Sequence, residues 1–249
     1  ARVTVNRFWA KLFGRGIVET LEVFGSQGAS PTHPELLDWL ALQFQGEFKW
    51  GMKSLLKLMV TSSTYMQSST ITSENQDKDP YNYLLARASR IRLSAEQIRD
   101  QSLAVAHLLS KKMYGPSVKP YQPEGVWQVI YNGVTWETSV GEDAHRRGLY
   151  TYWRRTSPYP SMMSFDSPSR EICVNRRILT NTPLQALVTL NDPVYLEAAN
   201  ALANLIEGRG SNLDQQIIEI FQRALQREPT QSEINIRSEE RRVGKECRS

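Results

Sequence analysis

Two helix starts, which lie ten residues apart, constrain this chain more than any other feature of its sequence. Thr182-Pro183 places a hydroxyl before a proline, and Asp192-Pro193 places a carboxylate before a proline. Such side chains cap helices because their oxygens accept hydrogen bonds from amides that have no partner within the helix, and proline is favoured at the first helical position. The sequence therefore predicts two consecutive helices, beginning at Pro183 and Pro193.

Most of the remaining chain has helical periodicity, with apolar residues three and four positions apart. This pattern predicts a helix that ends at Gly14, and further helices at about residues 35–44, 53–63, 94–109 and 213–225. Ser94 and Gln97 form a capping box at the start of one of them. Residues 69–80 are polar and are predicted to form a loop, and Pro80 is predicted to begin a short helix.

Residues 112–166 interrupt the helical pattern with interleaved prolines, glycines and aromatic residues. Within them, residues 126–130 and 149–153 have the composition of short strands. Loops on a rigid scaffold carry function more often than the scaffold itself, so this insert is the predicted place for a site. The sequence thus predicts a single mainly α-helical domain over residues 1–236, with an irregular aromatic- and proline-rich insert that could hold short strands.

Arginine is concentrated in and after this insert, with seven arginines and no lysine from Arg146 to Arg177. A guanidinium binds carboxylate, phosphate or sulfate through two parallel hydrogen bonds, and it stacks on aromatic rings. These residues could therefore line an anion-binding cleft for an acidic or sulfated sugar. The candidate ligand-binding residues are Arg146, Arg147, Tyr150, Tyr152, Trp153, Arg154, Arg155, Arg170, Arg176 and Arg177.

The same arginines have carboxylates nearby in the sequence that could neutralise them. These are Glu142, Asp143, Asp166 and Glu171. An arginine flanked by acidic residues usually pairs with one of them, and the arginines would then fasten the insert to the helices. We favour this interpretation over the cleft.

Other candidate catalytic residues have simpler structural interpretations. Asp38, Glu96 and Asp100 could supply paired carboxylates for acid–base chemistry. However, Glu96 and Asp100 share a helix face with arginine neighbours, which favours a solvated, ion-paired face. Cys173 could be a thiolate among cations, although a buried structural cysteine is the commoner case. His33 most simply marks the entry to a helix.

The sequence contains no recognisable metal or cofactor motif. The three histidines lie far apart, without the spacing of metal ligands, and there is no phosphate-binding loop or dinucleotide motif. No Cys-x-x-Cys-His motif for c-type haem is present. No apolar run approaches the roughly 18 residues of a transmembrane helix. We therefore expect no metal, no cofactor and no membrane span.

The last thirteen residues, 237–249, differ from the rest of the chain. The run RSEERRVGKECRS resembles a translated sequencing adapter, and we interpret it as an artefact that interrupts a helix capped by Thr230 and Glu233. The chain also lacks an initiator methionine, so we expect it to be truncated at its N-terminus. Without this run, 30 basic and 26 acidic residues become 25 and 23, so the net charge falls from +4 to +2. This small charge does not favour nucleic-acid binding.

Several short runs, in a fixed order, give the chain a family resemblance. They are Arg2–Trp9 (RVTVNRFW), Phe13–Val18 (FGRGIV), Phe24-Gly25, Pro31–Leu40 (PTHPELLDWL), Arg92–Asp100 (RLSAEQIRD), Phe165-Asp166 and Thr180–Leu187 (TNTPLQAL). Together they resemble the planctomycete domain of unknown function 1553 family, the C-terminal domain of cytochrome-c-associated proteins. Ser169 stands where that family has an acidic residue.

The resemblance implies an exported multidomain protein, in the periplasm or at the cell surface, in which this domain works near cytochrome-c-like domains. Two functions are consistent with the sequence. One is an interaction or scaffold module, and the other is a hydrolase-like or lectin-like domain that binds an anionic polysaccharide through the arginines and aromatic residues. We favour the first because each catalytic candidate has a simpler structural interpretation. Whether the chain is an enzyme stays open.

Overall fold

The structure of the chain, a computed structural model, describes residues 1–123, 125, 135–207 and 212–246. In these residues the chain forms ten α-helices and no β-strand. The helices are α1 (Arg2–Phe13), α2 (Pro34–Gln45), α3 (Met52–Val60), α4 (Ser73–Lys78), α5 (Ala95–Val105), α6 (Pro160–Ser164), α7 (Pro183–Asn191), α8 (Pro193–Glu207), α9 (Leu213–Leu225) and α10 (Gln231–Glu246). The prediction of a mainly α-helical fold is confirmed.

The insert lacks the strand predicted at residues 149–153. Those residues form a short 3-10 turn and an isolated parallel bridge between Thr151 and Val118. Prolines stand two positions before and after Val118, and a proline has no N–H group with which to extend a ladder. The other predicted strand, at residues 126–130, lies outside the described residues.

The polar segment predicted to be a loop contains helix α4. The Thr72 hydroxyl accepts a hydrogen bond from the Asn75 amide at 3.2 Å, which caps the helix. Glu74 and Lys78 form an exposed ion pair at 2.7 Å, four positions apart. The prediction was wrong because a helix without an apolar face leaves no periodic signal.

The short helix predicted to begin at Pro80 is absent, because the local hydrogen bonds favour a turn. The Asp79 carboxylate accepts hydrogen bonds from the Tyr83 and Leu84 amides at 2.8 and 2.7 Å. The buried Arg87 guanidinium donates to the carbonyl groups of Asp79 and Pro80 at 3.1 and 2.9 Å. Side chains therefore satisfy backbone groups that a helix would otherwise pair.

The prediction that the chain's last residues interrupt a helix is wrong, because helix α10 continues into them. The predicted capping box is present: Thr230 N donates to Glu233 Oε2 at 2.8 Å, and Glu233 N donates to Thr230 Oγ1 at 3.3 Å. The helix then continues past Arg237 to Glu246. Glu, Arg and Lys are good helix formers, so the change in composition at residue 237 does not end the helix.

The chain divides into two compact units, and the first comprises residues 1–92 and 173–176. Its core is built from helices α1, α2 and α3 and the loop after α1. The buried core residues are Val5, Trp9, Phe13, Ile17, Val18, Leu37, Leu40, Phe44, Leu55 and Met59. Gly14 ends α1 in the left-handed conformation, with φ 79°, as the sequence predicted.

A buried asparagine explains part of the RVTVNRFW run. Asn6 is 1% exposed, and its side-chain amide both donates to the Val18 carbonyl and accepts from the Val18 N–H, each at 2.9 Å. A Cβ at Gly16 would collide with the Val18 carbonyl oxygen and with the Asn6 amide. Asn6 thus pairs the backbone of a loop in the way a neighbouring strand would.

The second unit comprises residues 93–172 and 177–249 and holds helices α5 to α10. Helix α5 packs against α6, α8 and the 3-10 turn at Gly148–Tyr150. The buried apolar cluster of this unit is Ala95, Tyr159, Met162, Phe165 and Tyr195. No helix in the described part of the chain is both long and apolar enough to span a membrane.

Candidate functional site

The polar face of helix α5 fastens the arginine-rich insert. Glu96, Arg99 and Asp100 stand three and four positions apart and share one side of the helix. Arg99 is 4% exposed, and the side chains of Glu96 and Asp100 are 16% and 19% exposed. Both carboxylates are ion-paired, as predicted, but their partners are Arg177 and Arg147 rather than the arginines on the same helix, and the predicted solvation of the face is wrong.

Glu96 binds Arg177 through two hydrogen bonds. Arg177 Nη1 donates to Glu96 Oε2 at 2.6 Å, and Nη2 donates to Oε1 at 3.0 Å, the bidentate geometry that suits a guanidinium. Burial acts to raise the pKa of Glu96, but the hydrogen bonds and positive charge of Arg177, together with hydrogen bonds from the Glu96 amide and from Ser94, outweigh it, so this pKa lies below its usual value. Arg177 therefore ties the segment before α7 to α5.

Asp100 holds the loop that contains Arg147. The Asp100 carboxylate accepts hydrogen bonds from Arg147 Nε at 3.1 Å and from the Gly148 amide at 2.5 Å. A Cβ at Gly148 would lie 2.8 Å from the Glu96 Cα. Glycine is therefore required at this position by the close approach of the loop to α5.

Arg146 is sealed inside the protein, at 1% exposure. Its guanidinium donates to the carbonyl groups of Pro116, at 2.9 Å, and Tyr114. The guanidinium carbon also lies 3.8 Å from the centre of the Tyr150 ring, in a cation–π contact. Arg146 Nε has no partner among the described residues. Arg146 therefore organises its own loop and is inaccessible to a ligand in solution.

The two tyrosines of the predicted cleft also make internal contacts. The Tyr150 hydroxyl accepts a hydrogen bond from the Tyr114 amide at 2.7 Å. The Tyr152 ring lies 5.4 Å from Lys119 Nζ and meets Trp136 edge-on, with 6.2 Å between the ring centres. These contacts hold the insert together.

Arg170 is exposed, and it contacts the half-buried Trp153, which packs against the apolar cluster of the second unit. The guanidinium carbon of Arg170 lies 4.9 Å from the centre of the Trp153 ring, and Trp153 Nε1 donates to the Ser169 carbonyl at 3.2 Å. Arg170 has φ 63°, a conformation that is uncommon for a residue with a Cβ. Arg155 and Arg170 are exposed and form no ion pair with another described residue, while Arg154 is half-buried.

Arg176 belongs to the first unit, with the neighbouring residues 173–175. Its Nε lies 3.9 Å from Glu22 Oε1 in an exposed ion pair, and Asn175 accepts a hydrogen bond from Arg7 at 3.0 Å. Cys173 is a free thiol and is exposed. The expectation that this cysteine is buried is therefore wrong.

The ion pairs of the insert differ from those predicted. Glu142 accepts a hydrogen bond from the Ser110 hydroxyl at 2.6 Å, and Asp143 binds Lys112 Nζ at 2.9 Å. Two of the arginines instead reach α5, at carboxylates 47 and 81 positions away in the sequence. Such distant pairing depends on the tertiary packing, which local spacing does not reveal.

A buried polar cluster that sequence reasoning missed joins α5 to α6 and α8. It contains Arg99, Tyr159, Ser161, Asp192 and Tyr195. Burial raises the pKa values of both tyrosines and lowers that of Arg99. Perturbed groups often mark functional sites, but Tyr159, Ser161 and Tyr195 are each less than 10% exposed. The cluster therefore acts as an internal connection between helices.

Asp192 links this cluster to the predicted start of helix α8. Asp192 Oδ1 accepts a hydrogen bond from the Val194 amide at 2.9 Å, as the Asp-Pro signal predicted. Burial raises the pKa of Asp192 above its usual value, against the opposing effects of this hydrogen bond, of one from Ser161 and of the charge of Arg99.

Helix α7 packs with Gln185 and the half-buried Val188 inward. Gln185 is 6% exposed, and its Nε2 donates to Asp166 Oδ2 at 3.4 Å and to Thr180 Oγ1 at 3.3 Å. Thr180 N also donates to Asp166 Oδ2, at 2.8 Å. The Phe-Asp run and the TNTPLQAL run, which lie apart in the sequence, therefore meet in one hydrogen-bond network.

The outward side of α7 carries three exposed leucines. Leu184, Leu187 and Leu190 are 56%, 57% and 70% exposed, and Ile178 in the preceding segment is 80% exposed. No charged residue occurs from residue 178 to residue 191. We call the exposed side chains of Ile178, Leu179, Leu184, Leu187 and Leu190 the α7 surface. A local signal existed, since leucines recur every three residues, but periodicity does not tell which side of a helix is buried.

The described residues contain no cluster of three or more His, Cys, Asp and Glu side chains that could hold a metal ion. Of the other catalytic candidates, Asp38 forms an exposed ion pair with Arg2 at 2.9 Å. His33 Nδ1 hydrogen-bonds to the Thr32 hydroxyl at 2.9 Å, at the entry to α2. Their contacts are those of ordinary surface and helix-entry residues.

Comparison with known proteins identifies the family. Residues 1–239 match the family described as Protein of unknown function (DUF1553), and the chain belongs to that family. No curated protein and no solved structure matches the chain. The runs that gave the resemblance include Asn6 and Gly16 in the first unit, and Asp166, Thr180 and Gln185 in the second.

Proposed function

We propose that this chain is an interaction module, and that it acts as a scaffold in an exported multidomain protein that also carries cytochrome-c-like domains. The α7 surface is its protein-binding surface. The exported context and the cytochrome-c-like domains come from the family resemblance, and the binding role rests on the exposure of the α7 leucines.

The observation that carries this proposal is the orientation of helix α7. A surface helix normally buries its apolar side and exposes its polar side, but α7 buries Gln185 beside the half-buried Val188 and exposes three leucines. Single exposed leucines are common, whereas several exposed apolar residues on one helix side are typical of an interaction site. The hydrogen bonds of Gln185 to Asp166 and Thr180 hold the helix in this orientation.

The arginines support a scaffold role more than catalysis. Arg146, Arg147 and Arg177 each bind groups within the second unit, so they stabilise the insert. The buried polar cluster around Arg99 has the same character, because its tyrosines and serine are withdrawn from solvent. A catalytic group needs access to a substrate, and Arg146, Tyr159, Ser161 and Tyr195 lack it.

Footprinting of exposed side chains tests the proposed function. Hydroxyl-radical labelling of Leu184, Leu187 and Leu190 is compared between the dilute isolated chain and the full multidomain protein. Leu42 on α2 is the control, since it is 68% exposed in the isolated chain. We expect the α7 leucines to lose most of their labelling in the full protein. The proposal is wrong if they lose no more labelling than Leu42.

A second candidate function, binding of an anionic polysaccharide, is favoured by the contact between Arg170 and Trp153. This contact places an exposed cation beside a half-buried aromatic ring, and Arg155 is exposed close by in sequence. An aromatic ring can pack on a sugar while a guanidinium binds its sulfate or carboxylate.

Polysaccharide binding is tested with heparin as the sulfated probe and neutral dextran as the reference. In this candidate function, the double substitution Arg155→Ala, Arg170→Ala abolishes heparin binding and leaves the melting temperature unchanged. Arg2→Ala, which removes another exposed arginine, is the matched control. Equal heparin binding by both variants would exclude this candidate.

A further inference from the structure

We infer that the partner of the α7 surface is a second copy of this chain, so that two α7 helices pack against each other around a two-fold axis. The inference rests on the proposed function, because it names the occupant of the same surface. It would place two copies of the chain, and the domains attached to them, side by side.

The absence of charge from the α7 surface favours an identical partner. Residues 178–191 contain no Asp, Glu, Lys or Arg, so two copies can approach without repulsion between like charges. A partner that carries charged groups at its centre would have to leave them unpaired on this surface, which is unfavourable. A two-fold interface places the same patch on both subunits, so a neutral apolar patch is complementary to itself.

The polar side chains of α7 are already satisfied within the chain. Thr189 Oγ1 donates to the Ala186 carbonyl at 2.8 Å, and Asn191 Nδ2 donates to the Leu187 carbonyl at 2.8 Å. Gln185 is turned inward, toward Asp166. Burying the outward side of this helix therefore leaves few polar groups without partners, and desolvation of this side is inexpensive.

The size of the α7 surface is sufficient for a reversible dimer. Its five apolar side chains expose an area on the order of 500 Å², near the upper end of the largest patches on monomeric proteins. If all five side chains were buried in both copies, the total would be at most about 1,000 Å², which lies at the lower limit for a specific interface. We therefore expect a weak, reversible dimer.

The geometry of α7 also specifies which residue lies at the axis. Leu187 stands midway between Leu184 and Leu190 on the outward side. In an antiparallel pair of identical helices, the middle residue of one helix faces the same residue of its partner. Leu187 of each copy would therefore lie at the two-fold axis, and Leu184 of one copy would lie near Leu190 of the other.

A membrane surface is a less suitable occupant of the α7 surface. Helices that lie in a membrane interface usually carry lysines and arginines beside their apolar side, and α7 has no charged residue. It is also only nine residues long, which corresponds to about 13 Å. Vesicles that contain anionic lipid are therefore included in the test as a competing occupant.

Sedimentation velocity of the whole chain over a range of concentrations tests the inference. We expect a reversible monomer–dimer equilibrium for the wild type, and monomers for Leu187→Lys and for Leu187→Glu, each measured alone. Mixing these two variants should restore a dimer, because opposite charges then meet at the axis. Leu42→Lys, at another well-exposed leucine, on α2, should dimerise like the wild type. Circular dichroism and melting temperature verify that each variant is folded.

Three results would overturn the inference: a wild type that stays monomeric throughout the range, a dimer unaffected by Leu187→Lys, or no dimer in the mixture of the two variants. Binding of the wild type to anionic vesicles, lost in Leu187→Lys and without dimerisation, would replace the second copy by a lipid surface. Monomers in sedimentation combined with protection of the α7 leucines in the full protein would reject the dimer and leave the proposed function intact. Monomers in sedimentation without protection of the α7 leucines in the full protein would reject both the dimer and the proposed function.

Discussion

At the residue scale, the arginines of the insert differ in what their removal would leave behind. Arg177 is the bidentate partner of Glu96, whose side chain is only 16% exposed. Arg155 is exposed and forms no ion pair with any residue that the structure describes. The chemistry of the side chain is the same in both cases, so the environment decides its contribution to stability.

Arg177→Ala should therefore lower the free energy of unfolding by about 2 kcal/mol, because it leaves a largely buried carboxylate without its charged partner. Arg155→Ala is the matched control, with an expected change within about 0.5 kcal/mol. Urea denaturation followed by circular dichroism measures both values. Equal stabilities of the two variants would mean that the Glu96–Arg177 pair contributes nothing to the fold.

Asp192→Ala tests the cap of helix α8. The substitution removes the acceptor of the Val194 amide and should cost about 1 kcal/mol of stability. Asp192→Asn keeps an acceptor oxygen and should lose less than the alanine variant, as measured by the same urea denaturation. If alanine and asparagine are equally tolerated, the cap does not determine where α8 begins.

At the element scale, the structure shows which elements local chemistry could specify. Helix starts were predictable where a capping residue precedes proline or a capping box, as at Thr182, Asp192 and Ser94. Helix α4 has no apolar periodicity and was missed. The arginines that pair with Glu96 and Asp100 lie far from them in the sequence, so neither spacing nor composition could identify these partners. The outward orientation of the α7 leucines likewise depends on the buried network around Gln185.

The loop after α1 gives a prediction about one element. Gly16→Ala would place a methyl group against the Val18 carbonyl and the Asn6 amide, so the pairing of Asn6 with Val18 would be disrupted. Gly25→Ala is the control for backbone strain alone. Gly25 has φ 124°, but a Cβ there would have no neighbouring atom within 4 Å. We expect Gly16→Ala to lower the melting temperature of the first unit more than Gly25→Ala does. The opposite order would show that Asn6 tolerates displacement.

At the scale of the whole molecule, titrating carboxylates act on stability in opposite directions. The pKa of Glu96 lies below its usual value, and the Arg227 hydrogen bonds lower the pKa of Glu233 to about 2. These two groups stabilise the fold above their unfolded pKa of 4.5, and this stability is lost as the pH falls through their folded pKa values. The contribution of Asp192 to stability changes with pH in the opposite direction, because burial raises its pKa.

The folded state therefore binds the proton of Asp192 more tightly than the unfolded state does, and its contribution to stability falls as the pH rises from 3.8 through its folded pKa. Asp192→Asn removes this titration while it keeps an oxygen for the α8 amide. The melting temperature of Asp192→Asn relative to the wild type should consequently increase as the pH is raised from about 3 to 7. Glu233→Gln is the matched control with the opposite slope, because its relative melting temperature should decrease over the lower part of the same range. A difference between Asp192→Asn and the wild type that stays constant with pH would show that Asp192 is as well solvated in the folded protein as in the unfolded chain.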